Sequence, residues 1–303
     1  MEDYDVAIIG AGPGGLSAGI YTARDRLKTL IIGKLLKSTA TYASLLENYP
    51  GYKGTGLELL KKMRGQAEEV GCKVIDKDIT TIKKTNKGFF IGTGKEEFNT
   101  KSIVFSQGTE RRKLNIPGEE KLMGRGVSYC ATCDAPLFKE KRVAIIGGSD
   151  ACAMSVLMLS KYAEKVYLVY RREKNKLKME KISQERIDKE KKIEKIFDAI
   201  PVEIKGENKV ERLILNIKGK KKEIEVDGVF IEVGGIPNSK LTKQIGIQLD
   251  KEGYIITDRW GRTNIKGVFA AGDIVADSFK QIIVAAGQGA TAGKAACDFV
   301  NSV

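Results

Sequence analysis

One short apolar segment occurs twice in the chain and ends each time in glycine. Val6-Ala-Ile-Ile-Gly10 recurs unchanged as Val143-Ala-Ile-Ile-Gly147. A short run of branched apolar residues that ends in glycine is typical of a buried strand entering a tight turn. Strands of this kind form parallel sheets whose two faces are covered by helices. The repeat therefore predicts two α/β units of related design.

The first copy opens a complete strand-helix-strand pattern. A strand at Tyr4–Ile9 is followed by Gly10-Ala-Gly-Pro-Gly-Gly15, a helical pattern to about Arg24 and a second strand at Thr29–Ile32. In the G-x-G-x-x-G spacing, the first glycine permits the turn, the second admits a pyrophosphate and the third lets helix and strand pack closely. We predict dinucleotide binding, with the phosphates at the helix N-terminus. Gly33 stands where an acidic ribose ligand is usual, so the ribose anchor is not identified.

The second copy is followed by a less regular loop. Gly147-Gly-Ser-Asp-Ala-Cys152 keeps the first glycine but has Ser149 and Cys152 at the other two positions. The next strand, Val166–Val169, runs into Tyr170-Arg171-Arg172. Arginines at this position are placed to bind a ribose 2′-phosphate through charge-assisted hydrogen bonds. The alternative interpretation makes them the solvated start of a charged helix.

A third segment returns the chain to the first unit. Gly267-Val-Phe-Ala-Ala-Gly-Asp273 has the pattern of a buried strand ending in Gly-Asp, and a helix rich in small residues follows from about Gln281 to Val300. The carboxylate suits sugar-like hydroxyls, and the helix N-terminus suits anionic charge on a flavin ring. We therefore predict an α/β fold of two Rossmann-like dinucleotide-binding domains, the second inserted into the first. The expected domains are residues 1–113 with 240–303, and residues 114–239.

Two of the five cysteines lie close together, in Cys130-Ala-Thr-Cys133-Asp134. This spacing at a helix start permits a small disulfide and favours the thiolate of the first cysteine. A structural zinc site needs two further ligands, but the chain has no histidine and no second Cys-x-x-Cys. The pair is therefore interpreted as redox-active. Asp134 is the candidate proton donor; a helix-capping role fits the sequence equally well.

The net charge of +13 could suggest nucleic acid or an acidic membrane as a partner, but the distribution of the charged residues argues against both. Much of the basic character lies in 171–195, where Lys and Glu alternate at helical spacing, which predicts a solvated helix face. Attraction to an acidic protein or to phosphates is the alternative. No apolar run is long enough to span a bilayer and no export signal is visible. We therefore expect a cytoplasmic protein.

Five motifs, in order along nearly the whole chain, resemble the low-molecular-weight thioredoxin reductases. They are Gly10-Ala-Gly-Pro-Gly-Gly15, Glu47-Asn-Tyr-Pro-Gly51, Gly124-Arg-Gly-Val-Ser-Tyr-Cys-Ala-Thr-Cys-Asp134, Ala271-Gly-Asp273 and Ala286-Gly-x-Gly289. The resemblance implies a homodimer with FAD in the split domain and NADPH in the inserted one. Electrons would pass from NADPH through FAD and the disulfide to thioredoxin or a glutaredoxin-like protein. Cys133 would face the flavin, Cys130 would attack the partner and Asp134 would protonate the leaving thiolate.

The resemblance also assigns the binding residues and two hinges, near 112–118 and 235–240. FAD would be bound by Gly10, Gly12, Gly14, Gly15, Asn48, Gly272, Asp273, Gln281 and Ile282. NADPH would be bound by Gly147, Gly148, Ser149, Asp150, Arg171, Arg172 and Lys176. No metal ligand is expected.

Four departures from the family pattern bear on these assignments. Lys37-Ser-Thr39 replaces a Gly-Gly-Gln loop, and Ser106-Gln-Gly108 replaces Ala-Thr-Gly; both leave FAD expected. Met154-Ser155 replaces an acidic pair, and the basic motif at 170–176 loses its leading His and last Arg. These two changes leave a second donor class open, a ferredoxin or a deazaflavin. From another functional class, a redox-regulated nucleotide-binding or nucleic-acid-binding module is the alternative.

Overall fold

The computed structural model describes residues 2–43 and 45–303 and divides the chain into two compact units. Unit 1 comprises the chain up to Thr41, Leu45–Glu110 and Ile236–Val303. Unit 2 comprises the short stretch from Tyr42 and Arg111–Gly235. The predicted fold class, two Rossmann-like α/β units with the second inserted into the first, is confirmed.

The elements from Glu2 to Arg111 are β1 (Glu2–Ile9), α1 (Pro13–Arg24), β2 (Thr29–Ile32), β3 (Leu46–Tyr49), β4 (Tyr52–Gly54), α2 (Gly56–Glu69), β5 (Lys73–Ile75), β6 (Thr81–Thr85), β7 (Gly88–Gly92), β8 (Glu97–Phe105) and β9 (Thr109–Arg111). Unit 1 is built on a seven-stranded sheet in the order β5-β2-β1-β8-β7-β6, with β19 (Val268–Ala270) also paired to β8. Strands β5, β2, β1, β8 and β19 pair in parallel, whereas β7 pairs antiparallel with both β6 and β8.

The elements of unit 2 are β10 (Val127–Ser128), α3 (Ala131–Asp134), β11 (Arg142–Gly147), α4 (Asp150–Ser160), β12 (Lys165–Val169), α5 (Lys181–Lys189), β13 (Ile193–Ile196), β14 (Ala199–Lys205), β15 (Arg212–Ile217), β16 (Lys220–Glu225) and β17 (Gly228–Glu232). The strands form a five-stranded sheet in the order β10-β17-β11-β12-β13, all parallel, and a three-stranded antiparallel sheet β14-β15-β16. The remaining elements are β18 (Gly235–Pro237), α6 (Lys240–Lys243), β19 (Val268–Ala270) and α7 (Ile282–Val300).

Small residues let α1 and α7 of unit 1 approach each other closely. A Cβ added to Gly289 would lie 2.0 Å from the carbonyl oxygen of Gly14, and one added to Gly293 would lie 2.7 Å from that of Ala18. Only glycine fits at such contacts, because any side chain would overlap backbone. The small residues noted in the last helix therefore serve helix packing, and they hold its N-terminus next to that of α1.

The helix expected across 171–195 is much shorter in the structure. Only Lys181–Lys189 is helical, because the preceding residues form turns and β13 begins at Ile193. No helix within 2–43 and 45–303 is both long enough and apolar enough to cross a membrane.

Candidate active site

The two cysteines of the Cys-x-x-Cys motif form a disulfide at the start of α3. Their Cα atoms are 5.3 Å apart. Cys130 precedes the first turn, and its Sγ accepts a hydrogen bond of 3.1 Å from the backbone N–H of Cys133. A donor in this position stabilises a thiolate on Cys130 once the bond is reduced. Cys133 is exposed and Cys130 is half-buried, so solvent reaches the pair.

Asp134 is fixed beside the pair by a serine of β10. Ser128 Oγ donates to Asp134 Oδ2 at 2.6 Å and accepts the backbone N–H of Cys130 at 3.0 Å. The backbone N–H of Asp134 also donates to the carbonyl of Cys130, at 3.1 Å. The half-buried carboxyl is therefore oriented by the same hydrogen bonds that hold Cys130. Our sequence interpretation missed Ser128, although its place two residues before the first cysteine was visible.

The other three cysteines are unsuited to redox chemistry. Burial raises the pKa of Cys72 and of Cys297 to about 12. Cys152 is completely buried, and its pKa is raised well above the usual value. A thiol that stays protonated is a poor nucleophile. The chemistry of the chain therefore concentrates at Cys130 and Cys133.

In unit 1, the first glycine loop joins β1 to α1 at the carboxyl edge of the sheet. Gly10 has φ +113°, and an added Cβ would lie 2.2 Å from the carbonyl oxygen of Ser106. An added Cβ at Gly12 would meet only the side chain of Ser38, whose Oγ would lie 3.3 Å away. No side chain caps α1, so the N–H groups of its first turn lack a side-chain acceptor. The loop thus combines a constrained turn with an uncapped helix N-terminus, as an anion site requires.

The Gly-Asp segment lies next to this loop. An added Cβ at Gly14 would be 3.6 Å from the backbone nitrogen of Gly272. Asp273 is half-buried, burial raises the pKa of its carboxyl, and no described residue donates a hydrogen bond to its carboxylate oxygens. Lys280 Nζ donates instead to the backbone carbonyls of Asp273 and Val275, at 2.8 and 2.7 Å. A desolvated carboxylate without a donor suits the hydroxyl groups of a sugar-like ligand.

The N-terminus of α7 completes the candidate site of unit 1. Gln281 is its N-cap residue and Ile282 its first residue. No side chain caps the helix; Gln281 Oε1 instead accepts a hydrogen bond of 3.1 Å from Asn48 Nδ2. The residues expected to bind FAD therefore come from three distant stretches of the chain. Within unit 1 they lie at the N-termini of α1 and α7, in β3 and in the turn that follows β19.

The glycine loop of unit 2 is covered on one side by the segment that follows β12. The ring of Tyr170 packs on Gly148, where an added Cβ would lie 2.2 Å from the ring. The Tyr170 hydroxyl donates to the carbonyl of Lys176 at 2.6 Å, and the backbone N–H of Lys178 donates to the carbonyl of Gly148 at 2.8 Å. Ser149 forms an isolated bridge with Lys178. The loop is therefore partly occupied by the protein itself.

Arg171 and Arg172 stand at the carboxyl end of β12. Both are exposed, and neither forms an ion pair with a described residue, so both are open to an anion. Lys176 is also exposed, whereas Asp150 Oδ1 accepts the backbone N–H of Glu180 at 2.6 Å. The candidate NADPH residues thus share the carboxyl edge of β11 and β12. Nowhere in the described part of the chain do three His, Cys, Asp or Glu residues come together to hold a metal.

Comparison with known proteins agrees with this arrangement. The family described as pyridine nucleotide-disulphide oxidoreductases matches residues 4–289. The thioredoxin reductase of Treponema pallidum is 40% identical over 306 residues, which cover 99% of this chain and 98% of that protein. The chain belongs to the thioredoxin reductase family of pyridine nucleotide-disulphide oxidoreductases.

Solved thioredoxin reductases resemble the chain over its full length. The enzyme of Lactococcus lactis is 40% identical, has a TM-score of 0.95, and is matched over 99% of this chain and 100% of that one. A ferredoxin-flavin thioredoxin reductase from Clostridium acetobutylicum is 33% identical over 100% of both chains, with a TM-score of 0.54. The predicted enzyme class, a thioredoxin-disulfide reductase, is confirmed, and the Cys130–Cys133 disulfide agrees with it.

Proposed function

We propose that this thioredoxin reductase passes electrons from NADPH through FAD and the Cys130–Cys133 disulfide to thioredoxin or a glutaredoxin-like protein. We further propose that it acts in the cytoplasm as a homodimer, with FAD in the split unit and NADPH in the inserted unit. The observation that carries the proposal is the exposed disulfide with Asp134 fixed beside it.

The chemistry of the reduced pair follows from its surroundings. The Cys130 thiolate, stabilised by the N–H of Cys133, attacks one sulfur of the partner disulfide and forms a mixed disulfide. The partner sulfur that leaves takes a proton from Asp134. Cys133 then loses its proton and attacks Cys130, which closes the internal disulfide, and the second partner sulfur leaves and takes up that proton to become a thiol. The enzyme loses two electrons and the partner gains them.

Unit 1 fits FAD in three respects. The loop at Gly10–Gly15 suits the pyrophosphate, the donor-free carboxylate of Asp273 suits a sugar-like hydroxyl chain, and the uncapped α7 suits anionic charge on the ring. FAD, when bound, accepts two electrons from the donor and delivers them to the disulfide. The residues of the chain bind and orient it; Gly12, Gly14, Asn48 and Gln281 are assigned this role.

NADPH is the proposed donor because unit 2 offers a free anion site in the expected place. Arg171 and Arg172 follow the end of β12, the strand after the second glycine loop, and have no anionic partner among the described residues. A 2′-phosphate there would receive two charge-assisted contacts. Lys176 and the loop Gly147–Asp150 complete the proposed site.

One observation favours a second candidate donor, a ferredoxin or a deazaflavin. Tyr170 and Lys178 occupy one side of the glycine loop in unit 2, where a dinucleotide needs close approach to backbone. The solved relative from Clostridium acetobutylicum, matched over 100% of both chains, is a ferredoxin-flavin thioredoxin reductase. With such a donor, the main role of unit 2 would be to hold the cysteine pair and not to bind a dinucleotide.

A single comparison separates the two donors. The purified protein, checked for a flavin spectrum, is mixed anaerobically with NADPH, NADH, reduced ferredoxin or a reduced deazaflavin, and bleaching of the flavin is followed. Rapid bleaching by NADPH, followed by reduction of added thioredoxin, is expected. Bleaching by ferredoxin or deazaflavin alone would replace NADPH with the second candidate. A colourless protein that binds no FAD would refute the proposal.

A further inference from the structure

Unit 2 contains a largely buried ion pair that belongs neither to the Cys-x-x-Cys motif nor to the glycine loop. Arg111 Nη1 donates to Glu232 Oε2, and Ser155 Oγ donates to Glu232 Oε1 at 3.0 Å. The side chains of Arg111 and Glu232 are only 19% and 8% exposed. Well-packed apolar residues often stabilise a fold as well as such a pair. This burial therefore points to a role beyond stability.

The pair lies where a sheet of this order binds a dinucleotide. Glu232 ends β17 and is in register with Gly147, which ends β11. From β11 the chain adds β12 and β13 on one side of the sheet, whereas β17 pairs with the other side of β11. The order in which strands are added therefore reverses between β11 and β17. Open α/β sheets bind ligands outside the carboxyl ends of the strands at this switch point. If the loop after β11 held the pyrophosphate, the nicotinamide half would extend towards the end of β17.

Arg111 has a donor available for a ligand. Its Nε is buried and has no acceptor among the described residues. One face of the guanidinium lies 4.2 Å from the ring centroid of Tyr42, a residue of the same unit, but a ring face does not replace a hydrogen-bond acceptor. A buried donor without an acceptor destabilises the protein, and an acceptor oxygen of a ligand removes that cost. Both carboxylate oxygens of Glu232 are already occupied.

We propose that Arg111 donates a hydrogen bond to the carboxamide oxygen of the nicotinamide ring, and that Glu232 and Ser155 position Arg111 for this contact. The inference rests on the proposed use of a pyridine nucleotide. It also gives a reason for Ser155, which stands where the family has an acidic residue. Here the carboxylate comes from the end of β17, and Ser155 binds to it.

The test compares two ligands that differ in the nicotinamide half. Oxidised holoenzyme is titrated by calorimetry with NADP⁺ and with 2′-phospho-ADP-ribose, which lacks nicotinamide. Arg111→Met should weaken NADP⁺ binding about tenfold or more and leave the fragment unchanged. The matched control is Arg212→Met, which removes an exposed pair with Glu223 in the same unit. It should change neither affinity.

A double variant separates recognition from structural support. Arg111→Met/Glu232→Leu leaves no unpaired buried charge, so its thermal stability should match that of the unmodified protein more closely than Arg111→Met does. Its NADP⁺ affinity should stay low. Recovery of NADP⁺ affinity in the double variant, or equal losses for NADP⁺ and the fragment, would overturn the inference and leave the proposed donor intact. Failure of the unmodified protein to bind either ligand would overturn the proposed donor and the inference together.

Discussion

At the level of single residues, the two cysteines of the disulfide differ in surroundings and should differ in role. Cys130 accepts an N–H and is linked to Asp134 through Ser128. Cys130→Ser should abolish reduction of thioredoxin, because the attacking thiolate is gone, and should leave electron transfer from donor to flavin largely intact. The measurements are thioredoxin turnover and the rate of flavin bleaching. Cys72→Ala is the control, and normal turnover by Cys130→Ser would contradict the dithiol mechanism.

Burial should protect the other three cysteines from alkylation. With a pKa of about 12, Cys72 and Cys297 exist as thiolate in about one molecule in ten thousand at pH 8. N-ethylmaleimide should therefore modify only Cys130 and Cys133 in the reduced native protein, and all five cysteines in denaturant. Peptide mass spectrometry counts the labels. Fast labelling of the fully buried Cys152 would show that unit 2 opens in solution.

Residue types and local spacing made part of the site predictable. Cys130, Cys133 and Asp134 are neighbours in the sequence, so their chemistry could be inferred from the motif alone. Arg111 and Glu232 are far apart along the chain, and each is an ordinary surface residue by type. Only the pairing of β17 with β11 brings Glu232 to the carboxyl edge of the sheet, so no local sequence pattern indicates its contact with Arg111.

At the level of elements, a substitution of Gly12 in the first glycine loop should affect the binding of FAD and not the folding of the protein. Gly12→Val should reduce the flavin content of the purified protein, because the branched side chain fills the space proposed for the pyrophosphate. Backbone does not obstruct the new side chain, so far-UV circular dichroism should be unchanged. Gly65→Val in α2 is a matched control, since no atom lies within 4 Å of an added Cβ there. Full flavin occupancy in Gly12→Val would remove the loop from the FAD site.

The strand-end arginines should set the preference for NADPH over NADH. Arg171→Ala or Arg172→Ala removes a charge-assisted contact, which costs about 1.5–3 kcal/mol, or about ten- to a hundredfold in NADPH affinity. NADH binding should hardly change, because its ribose has no 2′-phosphate. The ratio of the two affinities, measured by flavin reduction, decides the matter. Arg186→Ala in α5 serves as a comparison outside the proposed site, and an unchanged ratio in all variants would make 171–172 a solvated turn.

Elements with a strong apolar pattern were predicted well, and the charged segment was not. The strand at Thr29–Ile32 and the end of α1 at Arg24 fall at the predicted positions. Both elements are determined by local sequence, the strand by its apolar run and the helix by the glycine loop before it. In 171–195, Lys and Glu alternate at helical spacing throughout. The backbone before Lys181 instead bonds to the glycine loop, through Lys178 and Glu180. Tertiary contacts thus override the helical preference of this segment, which the alternation of charges supports only weakly.

At the level of the whole molecule, the repeated strand and the order of the motifs were enough to predict two units with one inserted in the other. Each unit has its own sheet with a parallel core, mixed in unit 1 and all-parallel in unit 2, and its own glycine loop. The loops have nevertheless diverged: at Gly12, in the loop after β1, an added Cβ would meet only the side chain of Ser38, whereas the loop after β11 is packed by the ring of Tyr170. Sequence alone shows both loops but not this packing, because Tyr170 and Gly148 meet only after β12 pairs with β11.

The complete protein should store four electrons per chain, two on bound FAD and two on the disulfide. Anaerobic titration with dithionite, a two-electron reductant, should therefore consume about two equivalents per flavin. Cys130→Ser/Cys133→Ser should consume about one, since only the flavin remains reducible. The result is independent of the natural donor, and so it tests the cysteine pair and the flavin without NADPH. Cys72→Ala/Cys297→Ala, which also removes two cysteines, should behave like the unmodified protein. Equal uptake by the Cys130→Ser/Cys133→Ser variant and the unmodified protein would mean that the disulfide takes no part in electron storage.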